Sequence, residues 1–93
     1  MHALVSHVTI HDPDTTRELL NSRVVPAISG SPGFQTGHWT WSTGDSELTG
    51  LAMMVFDSAE NASGAGDRIK AAAESSDDVT LNYVEVREVV ASA

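Results

Sequence analysis

Residues 48–56 read LTGLAMMVF. In an extended chain successive side chains point to opposite sides, so Leu51, Met53 and Val55 share one face and Ala52, Met54 and Phe56 the other. Both faces are apolar, the pattern of a strand covered on two sides rather than of an edge. A sheet is therefore expected around this segment, and the chain on either side of it must supply the neighbours.

Downstream, Asp57-Ser58 offers a helix N-cap, and Glu60 suits the positive end of the helix dipole. Ala62, Ala65, Ile69 and Ala72 then recur three or four residues apart, which predicts a helix packed through small side chains. Gly64 and Gly66 weaken it by about 1 kcal/mol each relative to alanine. Small residues on its buried face let it lie close to a sheet. ESSDD at 74–78 is a polar loop, and a last strand is expected over 79–90, ending TLNYVEVREVV. Val84 and Val86 face one way there, and Tyr83, Glu85 and Arg87 the other.

Upstream, TGDSEL (43–48) is a turn and FQTGHWTWS (34–42) alternates like a strand. It holds both tryptophans. Regular alternation sets Trp39 and Trp41 on the face of Gln35 and Gly37, with His38 on the opposite face; a one-residue slip or bulge reverses this. Pro32-Gly33 within GSPGF (30–34) reads as a type II turn. The segment before it predicts a helix. Asp12 is the N-cap, Pro13 fits the first helical position, and Thr16, Leu20, Val24 and Ile28 follow at helical spacing, with Leu19 and Ala27 widening the stripe. Pro26 removes a backbone donor and disfavours helical geometry at Val25, so a kink or break is expected. A first strand, 3–11, has Leu4, Ser6, Val8 and Ile10 on one face and Ala3, Val5, His7, Thr9 and His11 on the other.

The order is β-α-β-β-α-β. With right-handed crossovers it predicts an α+β, ferredoxin-like fold: a four-stranded antiparallel sheet, strands one and three central, both helices on one face. At 93 residues the chain is expected to be a single domain, 1–93. The uncovered face then carries Val5, Leu51, Met53 and Val55, joined by Trp39 and Trp41 if alternation is regular. Monomers rarely leave such a patch in water. Two sheets packed face to face would bury it, so an isologous homodimer with a shared α/β barrel is expected.

Composition narrows the function. There is no cysteine, which excludes disulfides, thiol nucleophiles and thiolate metal sites. The net charge is −8 with five Lys plus Arg, a field that repels phosphate and argues against nucleic acid and anionic membranes as partners. No apolar run approaches the roughly 18 residues of a membrane span. MHALVSHVTIH lacks the basic start and cleavage site of a signal peptide, so a cytoplasmic location is expected.

Three segments, VVPAISGSPGF (24–34), MVFDSAENA (54–62) and VEVREVVA (84–91), resemble the helix-Pro…PGF turn, the strand-to-helix junction and the closing strand of the dimeric α/β-barrel superfamily. The whole chain resembles its antibiotic-biosynthesis-monooxygenase-like branch, whose members include small bacterial proteins. The resemblance implies a cofactor-independent monooxygenase acting on an aromatic or polyketide-like small molecule, or a non-catalytic, small-ligand-binding or accessory dimer. The haem-degrading branch carries an Asn, a Trp and a His ligand at positions that fall here at Ser6, Phe56 and within 59–73, where there is no histidine. Haem iron needs an axial ligand, so no cofactor is expected.

Metal ligation is not expected either: His7 and His11 stand roughly 13 Å apart along a strand. For catalysis, the resemblance together with one inward histidine makes His7 the candidate base. Trp39 and Trp41 would wall an apolar ligand cavity, Met53 would floor it, and Tyr83 would donate a hydrogen bond. Each has a plainer reading. His7 is then a hydrogen-bonded structural residue, the tryptophans are interface core, Met53 is packing, and Glu85–Arg87 is an ion pair. A barrel filled by its own side chains is the third reading. A cavity of roughly 300 Å³ or more separates a ligand site from it.

Overall fold

A computed structural model describes residues 1–44 and 47–93; Asp45 and Ser46 of the expected TGDSEL turn lie outside the described residues. The strands are β1 (His2–Ile10), β2 (Phe34–Trp41), β3 (Thr49–Phe56) and β4 (Val79–Glu88). The helical segments are α1 (Pro13–Leu19), a π turn (Leu20–Val24), α2 (Val25–Ser29) and α3 (Ala59–Glu74). The sheet is antiparallel, in the order β2-β3-β1-β4. Its two central strands are thus β1 and β3, the pair expected from sequence to be central. The fold is α+β and ferredoxin-like.

Local chemistry sets the boundaries. Asp12 caps α1 through Thr15, accepting from its backbone N–H at 3.1 Å and from its hydroxyl at 3.0 Å. Ser58 caps α3 by accepting from the Asn61 N–H at 3.2 Å. The turn before β2 closes by the Phe34 N–H donating to the Ser31 carbonyl at 3.2 Å. Gly33 in that turn has φ 77°, the conformation that type II geometry demands of its third residue. Pro26 acts one turn earlier than its own position. It has no N–H for the Ser22 carbonyl, and its ring would crowd that carbonyl in a regular helix. The chain answers with a widened π turn, in which the Val25 N–H reaches back to the Leu20 carbonyl. The helix continues past Pro26 to Ser29 without a break.

The core lies between the sheet and the helices. Leu4, Ala52, Met54 and Phe56 from the sheet meet Ile28 of α2 and Ala62 and Ala65 of α3, with Val24, Phe34, Trp39, Ile69 and Val84 packed at the margins. Of the expected stripe on the first helix, Thr16 and Ile28 are buried and Leu19, Leu20 and Val24 half-buried, whereas Ala27 is exposed. Small residues bring α3 close. Gly66 is buried, and a Cβ there would stand 3.1 Å from the Leu4 side chain.

Two bulges control which side chains share a face. In β2, pairing with β3 shifts between Phe34 and Thr36, so Gln35 is the extra residue. After it Trp39 lies opposite Ala52 and Trp41 opposite Gly50, while His38 lies opposite Met53. Regular alternation set the tryptophans on the uncovered face; the bulge moves both to the helix face and corrects that expectation. The second bulge is in β4, where His7 pairs with Tyr83 but Val8 with Leu81. Asn82 is the extra residue.

Candidate functional site

The site residues anticipated from sequence fall into two groups on opposite faces of the sheet. On the uncovered face β1 presents His7, β3 presents Leu51 and Met53, and β4 presents Tyr83. His7 and Tyr83 are paired across the strands, and their rings stack with centroids 5.3 Å apart and planes 5° from parallel. The Asn82 amide nitrogen lies 3.0 Å from His7 Nδ1 and 3.1 Å from Thr9 Oγ1. An amide nitrogen only donates, so this contact is a hydrogen bond when His7 Nδ1 offers its lone pair. The bulge makes this possible by placing Asn82 between two β1 side chains that point to the same side. Beyond it, Glu85 and Arg87 form the expected ion pair at 2.6 Å.

Leu51, Met53 and Tyr83 remain exposed on this face, Met53 at 51%. Val5 is buried within the face even so.

Trp39 and Trp41 belong to the other group. They line a cleft of about 760 Å³ between the helix face of the sheet and the helices. Its walls carry Leu20 and Val24 of the π turn, Ile69 and Ala72 of α3, and Val8, Ile10 and Leu81 of the sheet. The space arises because the sheet has small residues at this end: Ser6, Gly37, Gly50 and Ala52 all line it. Gly37 serves a second purpose. The Trp39 ring folds back over it, and a Cβ at Gly37 would stand 3.0 Å from two carbons of that ring. Trp41 is held differently, with the Arg17 guanidinium 4.6 Å from its ring centroid, a cation–π contact. Thr16, 8% exposed, also lines the cleft, and its hydroxyl is buried with no hydrogen-bond partner.

The cleft therefore unites the two tryptophans with residues that sequence reasoning had treated as core. It excludes His7, Met53 and Tyr83, which do not line it. One signal for the inversion was present in the sequence. Aromatics at 34, 39 and 41 cannot share one face of a regular strand, because 34 and 39 differ by an odd number. If Phe34 and Trp39 both pack on the core, a bulge must lie between them.

Among the described residues no three His, Cys, Asp or Glu side chains are grouped to hold a metal. No helix among them is long and apolar enough to cross a membrane.

No protein-family model matches the chain, and no curated protein matches it. Solved structures do. An ethyl tert-butyl ether D (EthD) family protein from Bacillus halodurans C-125 superposes with a TM-score of 0.67 at 16% identity, over 97% of this chain and 100% of that one. MupZ from Pseudomonas fluorescens superposes with a TM-score of 0.62 at 14% identity, over 91% of this chain and 65% of that one. At these identities the likeness is one of fold, and it places the chain among small ferredoxin-like α+β proteins.

Proposed function

We propose that residues 1–93 form one domain of the antibiotic-biosynthesis-monooxygenase-like and EthD type. In this reading the domain binds an apolar or aromatic small molecule in the cleft between helices and sheet. The observation that carries it is the cleft itself. Its volume lies within the roughly 300–1,000 Å³ typical of small-molecule sites, and its walls are mainly apolar with a few polar groups. Two tryptophan rings supply flat surfaces, and the π turn, a feature frequent at functional sites, forms part of one wall. Filling the cleft tests this. Ala72 lines it yet is exposed, so Ala72→Phe should leave the thermal midpoint within a few degrees of wild type. It should abolish the ligand-induced shifts of the two tryptophan indole N–H signals in NMR spectra recorded with naphthalene-type probes. Undiminished shifts in that variant would place binding elsewhere.

The uncovered face supports a homodimer, with two sheets packed into a barrel. Exposed Leu51, Met53 and Tyr83 beside Val5 and Val55 are more apolar surface than a lone sheet face usually presents to water. Light scattering at micromolar concentration should give twice the monomer mass; a clean monomer removes the proposal.

A second reading is catalytic, with His7 as base and Tyr83 as donor in a cofactor-independent oxygenation. Their stacking supports it, since it sets an imidazole and a phenol ring side by side. The bond from Asn82 weighs against it, because it occupies the Nδ1 lone pair that a base would use. His7 must give up that bond to take a proton at Nδ1. Oxygen uptake with quinols and polyphenols that is lost in His7→Ala would establish this reading. Turnover unchanged by that substitution would end it.

A further inference from the structure

The cleft reverses the charge of the molecule around it. The whole chain has 13 Asp plus Glu against five Lys plus Arg, yet the charged residues lining the cleft are Arg17, Arg23 and Asp78, two cations to one anion. Among the described residues neither arginine makes a salt bridge; the one such pair is Glu85–Arg87. The Arg17 guanidinium carbon lies over the Trp41 ring, 4.6 Å from its centroid. A guanidinium carries its N–H donors in a planar fork that matches the geometry of a carboxylate. An unpaired polar group also lies in the wall of the same cleft. Thr16, the residue before Arg17, has a hydroxyl that is buried without a partner, and more than nine-tenths of its surface is covered. Buried polar groups are normally paired.

We infer that the cleft takes a flat organic anion, an aromatic body bearing a carboxylate or an acidic phenol, and that Arg17 meets its charge at the exposed rim. The inference rests on the cleft's being a ligand site and adds the charge of what it accepts. The aromatic body lies among Trp39, Trp41, Leu20 and Ile69, away from water, where an unpaired charge would be disfavoured. The anionic group stays at the rim beside the guanidinium. A neutral ligand of the same shape would use the walls and forgo Arg17, and a cationic one would meet it unfavourably.

The test compares 2-naphthoate with 2-naphthylmethanol, nearly equal in shape and different in charge. Binding is measured by calorimetry and located by the two tryptophan indole N–H signals. Wild type should bind the naphthoate roughly tenfold or more tightly than the alcohol, as expected of a charge-assisted pair, with a preference that shrinks as salt is raised. Arg17→Gln should bring the two affinities together by weakening the naphthoate alone, and Arg17→Lys should retain part of the preference. Equal binding of the two probes to wild type would overturn the inference and leave the ligand site standing, as would a preference untouched in Arg17→Gln. If neither probe binds nor moves the indole signals, the ligand site falls together with the inference.

Discussion

The two faces of the sheet are made by the same four strands, and β3 displays the contrast in adjacent residues. Met54 points to the helices and is 0% exposed; Met53 points away from them and is 51% exposed. Both faces are apolar at the level of sequence, yet they are completed in different ways. The helix face is covered by the protein's own chain. Small residues at one end, Gly37, Gly50 and Ala52, keep that cover from closing and leave a cleft. The other face has no cover of its own. A small molecule is thus a question for one face and a second protein copy for the other, and substitutions can address them separately.

The largest effect should come from the face that is already complete. Met54→Ala removes a side chain enclosed by Leu4, Phe56 and α3 and should cost about 2–5 kcal/mol, measured by urea unfolding. The matching change, Met53→Ala, should lie within about 0.5 kcal/mol at protein concentrations where any dimer has dissociated. If both methionines cost the same there, the contrast between the faces is false. Met53→Asp sharpens the point, because an unpaired charge in the middle of a sheet-to-sheet contact is disfavoured. It should convert a dimer to a monomer in light scattering while leaving the monomer folded.

Next in size is Gly37→Ala. The added carbon would stand 3.0 Å from the Trp39 ring, so the ring must move. Overpacking of this kind typically costs about 1–3 kcal/mol, and Trp39 should shift its fluorescence because it leaves its half-buried place. An unchanged emission spectrum would mean that Trp39 does not lie over Gly37, and the assignment of the tryptophans to the helix face would lose its support.

How far the sequence discloses these faces depends on what disturbs alternation. β1 and β3 run without interruption against each other, from His2–Phe56 to Thr9–Thr49, and for them period-two reasoning gives both faces and the central position. The caps at Asp12 and Ser58 and the turn at Pro32-Gly33 are equally readable, because each depends on a side chain or a φ angle intrinsic to the residue. The tryptophans are different. Their side of the sheet is decided by one extra residue, Gln35, whose chemistry does not mark it as a bulge. The cleft is hidden for a related reason: it is made by absences, small side chains from distant segments set opposite a π turn, and no single stretch contains it. His7 could be placed on its face from sequence. Its partner could not, since Asn82 reaches it only through the bulge in β4.

The smallest effect tests where the uncovered face ends. Glu85 and Arg87 share that face with Tyr83, but β4 is an edge strand, and their side chains are 42% and 64% exposed. An ion pair that wet contributes about 0–1 kcal/mol, reduced further by salt. Arg87→Ala should therefore change unfolding little, and by the same amount in dilute and concentrated protein. Were the pair enclosed by a second copy, the substitution would strand Glu85 without a partner away from water, and the cost would grow with protein concentration as the dimer forms. Urea midpoints at two concentrations a hundredfold apart separate these cases. In a protein that light scattering shows to be a dimer, a concentration-independent result confines the contact to the apolar centre formed by Val5, Leu51 and Met53, with the charged edge of β4 left in solvent.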